Sequence, residues 1–529
     1  MPLPLCASPQ HMELDTAYVQ KTLDLPTKTQ EMHADFVIVG GGTAGSVIAA
    51  RLAEYGYETL LLSSGSNDTT NPLMTQQDLF GQLFQTSRFK HNLFSEPSSN
   101  LNNRTMDVVA WNTLGGSGIN GGGMERTMTD DWQYFVNATD DHSFAYENML
   151  KYYKKVENFT TSTPNFDYSI HGRNGPIKIT LEYDNTFNSV WQNITEEMNE
   201  TFSSEFTRTN DYGFSFEPTV FTNGHRSWSG DVYLTPAQSK YSNLKVITSA
   251  TVIKFDVNEE TKQINGVLFV TKDGFFVAIA KNEYILSAGT FFSPHILMIS
   301  GIGDPDILSE KGIHVKHSLK QVGKNLVDNG IVSVEYETKN FSINKCIPVG
   351  HIRATNETPN IFFILKNNEK TNRLFVIMFN PSPKSIVGSV SLYNSNPLMS
   401  PKIILNYFEN EEDMITFVDG IRYIRQIMST NAMKQFAQFE EILPGSNDEV
   451  DYIKNSFIPA SHFLGTCSIG KNGDDSVVNN QFKVHGIKNL RIVDASIFPA
   501  GFASKTGPCL TVYALAEKAA DILRQKFPK

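Results

Sequence analysis

The sequence predicts an α/β protein whose N-terminal part builds a parallel sheet and whose middle is rich in strands. Three observations predict it. Asp35–Val39 (DFVIV) is a short apolar, β-branched run of the kind that fills a strand buried on both faces. Ser46–Tyr55 carries small and apolar residues at helical spacing and stops at Gly56, which suits the position just past a helix. Thr59–Leu62 (TLLL) reads as a second buried strand and completes a strand–helix–strand unit.

Between the first strand and the helix lies Gly40-Gly41-Gly42-Thr43-Ala44-Gly45, a G-x-G-x-x-G spacing. The first glycine permits a tight turn, the second lets the backbone approach a pyrophosphate, and the third allows close helix–strand packing. The helix N-terminus then offers unpaired N–H groups to an anion. A dinucleotide site is therefore expected. A carboxylate ordinarily ends the second strand of such units and binds ribose hydroxyls. Ser63-Ser64-Gly65 stands there instead, so a neutral hydroxyl replaces a charge-assisted hydrogen bond.

The remaining chain sets bounds. With 529 residues, 40% hydrophobic and 19% charged, it can bury a large core, which excludes disordered, collagen-like and disulfide-scaffold classes. The net charge of −11 is spread along the sequence and speaks against nucleic acid as a partner. No run reaches the ~18 apolar residues of a membrane span. The first residues, MPLPLCASPQHMELD, lack the basic and apolar regions of a signal peptide. Eight Asn-x-Ser/Thr sequons, Asn67, Asn103, Asn137, Asn158 and Asn193 among them, are compatible with a secreted glycoprotein and equally with chance in an Asn-rich chain. Cys6, Cys346, Cys467 and Cys509 are too scattered for a disulfide framework; buried free thiols are expected, with a single disulfide as the alternative, and the histidines show no metal-ligand spacing.

Residues 1–33 read as a polar surface arm. Strand-like runs (IKITL, KVITSATVIKF, GVLFV, RLFVIMF, GSVSLY) alternate with polar loops through the middle, without repeats. Thr511–Arg524 (TVYALAEKAADILR) has the i, i+3, i+4 pattern of an amphipathic helix packed on a sheet.

Several separated segments resemble one family, the glucose-methanol-choline (GMC) oxidoreductases. Gly289–Gly303 (GTFFSPHILMISGIG) resembles its second signature, and Val322–Asn329 (VGKNLVDN) its VGxNLxDH turn. Leu114-Gly115-Gly116-Ser117 with Asn120 resembles its flavin loop, while Asn223–Ser227, Tyr233–Ala237 and Leu490–Ser496 resemble further segments. Ser461–Cys467 (SHFLGTC) is similar to the active-site strand. The matches run in the family's order from residue 34 to 524.

The resemblance implies an FAD-binding, Rossmann-like α/β domain from residues 34–150, 225–330 and 460–529. It also implies an α+β substrate domain with an antiparallel sheet, from 151–224 and 331–459. It places Gly40, Gly42, Thr43, Ala44 and Gly45 at the pyrophosphate, Ser63 at the ribose and Val252 at the adenine. Ser117, Asn120, Gly121, Gly122, Gly123, Asp494, Ala495, Pro508 and Cys509 fall along the flavin. It implies oxidation of a small alcohol, with His462 as the base that takes the hydroxyl proton; an imidazole of ordinary pKa ~6.5 is a neutral acceptor at working pH.

Departures from the family pattern set further expectations. The family's second catalytic position, His or Asn, falls on Gly507, with Lys505, Thr506 and Ser461 as candidate substitutes. Ala110-Trp111-Asn112 stands where an Arg-Gly-Lys run is usual, and the flavin loop is one residue short between Ser117 and Asn120. These changes, with Ser63, predict a weaker hold on FAD. Two alternatives remain at this point. One is a hydroxynitrile lyase acting on a cyanohydrin with structural FAD, since the compact 330–400 stretch is similar to plant mandelonitrile lyases. The other is a non-catalytic descendant.

Overall fold

Strand pairing begins earlier than the first apolar run implies. The computed structural model describes residues 29–529 except 165, 204–211, 340, 342, 344, 345, 354, 356–359, 369, 386 and 387, so Cys6 and most of the expected arm lie outside the described residues. Gln30–His33, assigned to that arm by their polarity, belong to a strand and pair in parallel with Phe276–Ile279. Gln30, Glu31 and His33 are exposed and Met32 is half-buried, so this end of the strand is held by backbone pairing and tolerates polar side chains.

In chain order the elements that frame the site are β1 (Gln30–Val39), α1 (Thr43–Glu54), β2 (Thr59–Leu62), β3 (Gly213–Phe216), β4 (Leu244–Ile247), β5 (Thr251–Asn258), β6 (Gln263–Thr271), β7 (Gly274–Leu286), α2 (Gly289–Ile299), β8 (Ile331–Lys339), β9 (Pro348–Ile352), β10 (Ile361–Asn368), β11 (Arg373–Phe379), β12 (Gln438–Leu443), β13 (Leu490–Ile492) and α3 (Cys509–Lys526). The first sheet has the order β4-β2-β1-β7-β6-β5, with β13 added to the far half of β7. Its centre is parallel, with Val39 level with Leu62 on one side and Leu286 on the other. Phe36, Val37 and Ile38 are fully buried, as expected where helices cover both faces. All these strand ends deliver their following loops to one edge, where ligands bind in open α/β sheets.

The second sheet is antiparallel, in the order β12-β8-β11-β10-β9-β3. Helix Glu411–Ser429 covers one face, with Gly420 close against Ile361 and Met378. The opposite face carries Val349, Phe362, Ile364 and Phe379, which pack with Ala460 beside the candidate catalytic segment.

The C-terminal helix α3 departs from its amphipathic reading. Residues Leu510 to Ala520 are all buried, because the helix is wedged between α1 and helix Tyr146–Val156 rather than lying on a sheet with one face wet. Its buried charge is paired: Glu517 accepts from Arg51 at 2.8 and 2.9 Å and from Tyr233 at 2.9 Å. Cys346 and Cys467 are buried free thiols, and Cys509 is free and half-buried. Among the described residues no helix is long and apolar enough to cross a membrane, and no group of His, Cys, Asp or Glu could hold a metal.

Candidate active site

The glycine loop is shaped by close approaches. Gly40 has φ +106°, and a Cβ there would lie 2.2 Å from the carbonyl oxygen of Ser287, so only glycine fits. A Cβ on Gly45 would lie 1.9 Å from the Gly40 carbonyl, which is the tight helix-to-strand packing expected of the third glycine. The loop opens on a cavity of about 650 Å³. Three helices begin at its wall: α1 at Gly42–Ala44, α2 at Ala288–Phe291 and α3 at Pro508–Cys509. The caps of α1 and α3 supply no side-chain acceptor and their first turns hold no acidic residue, so their leading N–H groups remain available to an anion.

Nearly all the cofactor and catalytic residues that the resemblance implies border this cavity: Gly40, Gly42, Thr43, Ala44, Ser63, Ser117, Asn120, Gly121, Gly123 and Val252 in the first half, and His462, Asp494, Ala495, Gly507, Pro508 and Cys509 in the second. Two of that set do not. Gly45 is turned into the α1–β1 contact, and Gly122 backs onto the Phe221 ring, 3.2 Å from where its Cβ would be. Asp494 is held as a structural acceptor, taking hydrogen bonds from the Gly289 amide at 2.9 Å and the Ser293 hydroxyl at 2.6 Å.

No lysine or arginine borders the cavity among the described residues. Where the basic run is missing, neutral contacts stand: the Trp111 indole donates to Asn120 Oδ1 at 2.8 Å, and the Ser64 hydroxyl donates to Asn112 Oδ1 at 2.8 Å. A cation does stand behind the loop. Arg226, 3% exposed, is sandwiched between Phe80 and Phe221 and donates to the Gly121 carbonyl and to that of Met74. Burial lowers its pKa to about 10, which leaves it charged at neutral pH.

His462 owes its position to a bulge. Val327 pairs with Leu464 and Ile331 with Ile458, so the second stretch is two residues longer than the one it faces. The excess is taken up around Ser461, at φ +63°, and Asp328 accepts the displaced amides: Ala460 N at 2.7 Å and His462 N at 2.6 Å. Bulges re-aim side chains in this way. The imidazole lies parallel to the Phe379 ring, 5.8 Å between centroids, with Nδ1 3.1 Å from Asn329 Oδ1. Its Nε2 faces Gly507, where a Cβ would be 3.9 Å away. Burial lowers the pKa of His462 below 6.5, and the nearby Asp328 carboxylate opposes the shift only in part.

Two candidate substitutes for the second polar group are committed elsewhere. Lys505 Nζ pairs with Asp131 at 2.9 Å, and the Thr506 hydroxyl donates to the Arg126 carbonyl at 3.1 Å. Ser461 does border the cavity. The sequence reading did not assign Asn329 a role, although it sits in the VGKNLVDN segment; its partners are brought together only by tertiary folding. His91, half-buried beside Phe292 with its pKa lowered to about 4 by desolvation, was also missed, since it lies on an otherwise unremarked strand.

A cavity edged by helix N-termini and a glycine turn, with a half-buried imidazole at its rim, suits a large anionic dinucleotide and proton chemistry. Two family models described as GMC oxidoreductase match the chain, over residues 34–330 and 383–516. The oxygen-dependent choline dehydrogenase of Chromohalobacter salexigens is 30% identical, covering 94% of this chain and 96% of that one. The glucose dehydrogenase [FAD, quinone] of Drosophila melanogaster is 26% identical over 93% of this chain and 87% of its own length. In fold, the chain is similar to formate oxidase of Aspergillus oryzae (TM-score 0.85, 23% identity, 94% and 99% covered) and to a fungal aryl-alcohol oxidase (0.76, 20%, 93% and 99%). The chain belongs to the GMC oxidoreductase family. It is an FAD-dependent oxidoreductase, and the relatives named here, all dehydrogenases or oxidases, favour redox chemistry over the lyase alternative.

Proposed function

We propose that the protein oxidises a small alcohol with His462 as the general base. The hydroxyl proton passes to Nε2 of His462 while the hydrogen on the alcohol carbon leaves with its electron pair, turning the C–O single bond into C=O. Bound in the cavity, FAD supplies the acceptor for that hydride. The observation that carries this reading is the Nε2 atom of a half-buried imidazole facing open space beside Gly507 at the cavity rim.

The remaining residues bind and orient. The amides of Gly42, Thr43 and Ala44 suit the pyrophosphate, while the Gly40 amide is committed to the Leu62 carbonyl at 2.8 Å and Gly40 serves only as the turn; the Ser63 hydroxyl suits a ribose, and the Val252 backbone the adenine. Ser117, Asn120, Gly121, Gly123, Asp494, Ala495, Pro508 and Cys509 suit the ring end. With Gly507 lacking a side chain, the substrate oxygen has His462 and the Ser461 hydroxyl to bind. Burial keeps His462 neutral, and a neutral imidazole is the form that accepts a proton.

The test is His462→Gln, compared with wild type for turnover of a panel of primary alcohols and for retained flavin absorbance. Loss of ~10²-fold or more in kcat with flavin still bound supports the reading. Unchanged turnover overturns it, and cyanide release from mandelonitrile without flavin reduction would transfer the site to lyase chemistry.

A further inference from the structure

The side-chain amide of Asn329 makes three contacts that fix its orientation. Its Nδ2 lies 2.8 Å from the carbonyl oxygen of Asn380 and 3.0 Å from that of Ser504. Both partners can only accept, so the atom between them must be the NH₂ group, and both of its hydrogens are used. Oδ1 is thereby turned toward His462 Nδ1 at 3.1 Å, and an oxygen without hydrogens can only accept from that ring nitrogen. Asn329 is 4% exposed, so no bulk water competes for these bonds.

We propose that Asn329 is a positioning residue that holds His462 in the Nδ1–H tautomer and so leaves the lone pair on Nε2, the atom facing Gly507. The inference rests on His462 being the base, and it adds which nitrogen acts and what selects it. A neutral imidazole has two tautomers, and only one puts its acceptor toward the substrate side. The three contacts also tie together the end of β11, the loop leading to Gly507 and the catalytic segment, so one amide sets the ring's tautomer and its distance from position 507. Histidine, the residue in the VGxNLxDH pattern, offers one donor and one acceptor in its neutral form and cannot make all three bonds. Among the described residues the charged group that acts on the imidazole is Asp328, which binds its backbone amide and not its ring. The tautomer is therefore set by Asn329.

Two readouts test this. The first is ¹⁵N NMR of protein labelled in its histidines, with the His462 resonance assigned by its loss in His462→Gln. Wild type should show a protonated Nδ1 and an unprotonated Nε2 at pH 8, with or without added FAD; the reverse pattern overturns the proposal. The second compares Asn329→Leu and Asn329→Asp. Leu removes the acceptor, and kcat should fall by ~10²-fold or more with KM within a few-fold, because the wrong tautomer then competes. Asp places a carboxylate against Nδ1–H, and the acid limb of the kcat profile should move up by about one pH unit or more. An unchanged tautomer and acid limb in these variants overturns the proposal even if His462→Gln is inactive. If His462→Gln keeps its turnover, the base assignment fails, while the wild-type NMR pattern still decides the tautomer. Should either Asn329 variant fail to fold, the wild-type spectrum decides alone.

Discussion

The Nε2 atom of His462 and the Cα of Gly507 face each other across a space in which a Cβ on residue 507 would make an ordinary 3.9 Å contact and, among the described residues, meet no other atom within 4 Å. A side chain is therefore sterically admissible where this chain has none. Gly507→Asn, which restores a polar group, should keep or raise kcat, and Gly507→Ala should fold normally yet crowd the substrate oxygen. Steady-state kinetics on both decide it; a tenfold loss in the Asn variant would mean that the open space is itself required.

Gly45 tests the packing behind the site rather than the site. A Cβ there would overlap the Gly40 carbonyl at 1.9 Å, a backbone atom that cannot swing aside. Gly45→Ala should push α1 off β1, lower Tm by roughly 5 °C or more, and release flavin. Differential scanning fluorimetry with a flavin absorbance spectrum checks both; an unchanged Tm contradicts the close packing.

Ser63 follows β2 directly, beside the glycine loop, with Cβ and Oγ each 2.9 Å from where a Gly41 Cβ would be. Ser63→Asp replaces a neutral hydroxyl with a charged acceptor for ribose hydroxyls and should tighten FAD binding about three- to tenfold. Fluorescence titration of the deflavinated protein measures it. Weaker binding would show that the hydroxyl does not face the ribose.

Buried titratable groups impose opposite pH dependences on stability. Burial lowers His295 to about 4 and His351 to about 3, so below pH 6.5 the unfolded chain takes up protons that the folded chain refuses. Their contribution is complete above pH 6.5 and is lost as pH falls toward 4, for His295 on the order of 3 kcal/mol. Glu217 runs the other way: burial raises it to about 7, so its contribution is present below pH 4.5 and lost as pH rises through 7. Glu217→Gln should thus raise Tm at pH 8 and leave it near wild type at pH 5. Melting curves at the two pH values check the sign; equal shifts at both would remove the titration account.

What could be read in the sequence was local. The DFVIV run, the glycine spacing and the TLLL run carry their own periodicity and chirality, so β1, α1 and β2 follow from them, with boundaries displaced by a few residues at Gln30 and Thr43. His462 was legible only through the family pattern, because an isolated histidine beside Phe463 and Leu464 looks like any buried core residue. Asn329 was not legible, since its meaning depends on Asn380 and Ser504, 51 and 175 residues away in sequence. Arg226 was visible within a family segment, but nothing in its neighbours predicts that two phenylalanines enclose it beneath Gly121. The fully buried α3 was missed for a related reason: the Glu517 that makes its sequence look amphipathic is neutralised by Arg51 and Lys155 from other helices.

The most direct measurement is anaerobic reduction of the enzyme-bound flavin by a primary alcohol, followed by stopped-flow absorbance in wild type and His462→Gln at pH 8. The account predicts bleaching of the flavin band in wild type and a rate at least ~10²-fold slower in the variant, with the same amount of flavin bound. Equal rates in the two proteins would contradict it, because the hydroxyl proton would then be leaving by a route that does not involve His462.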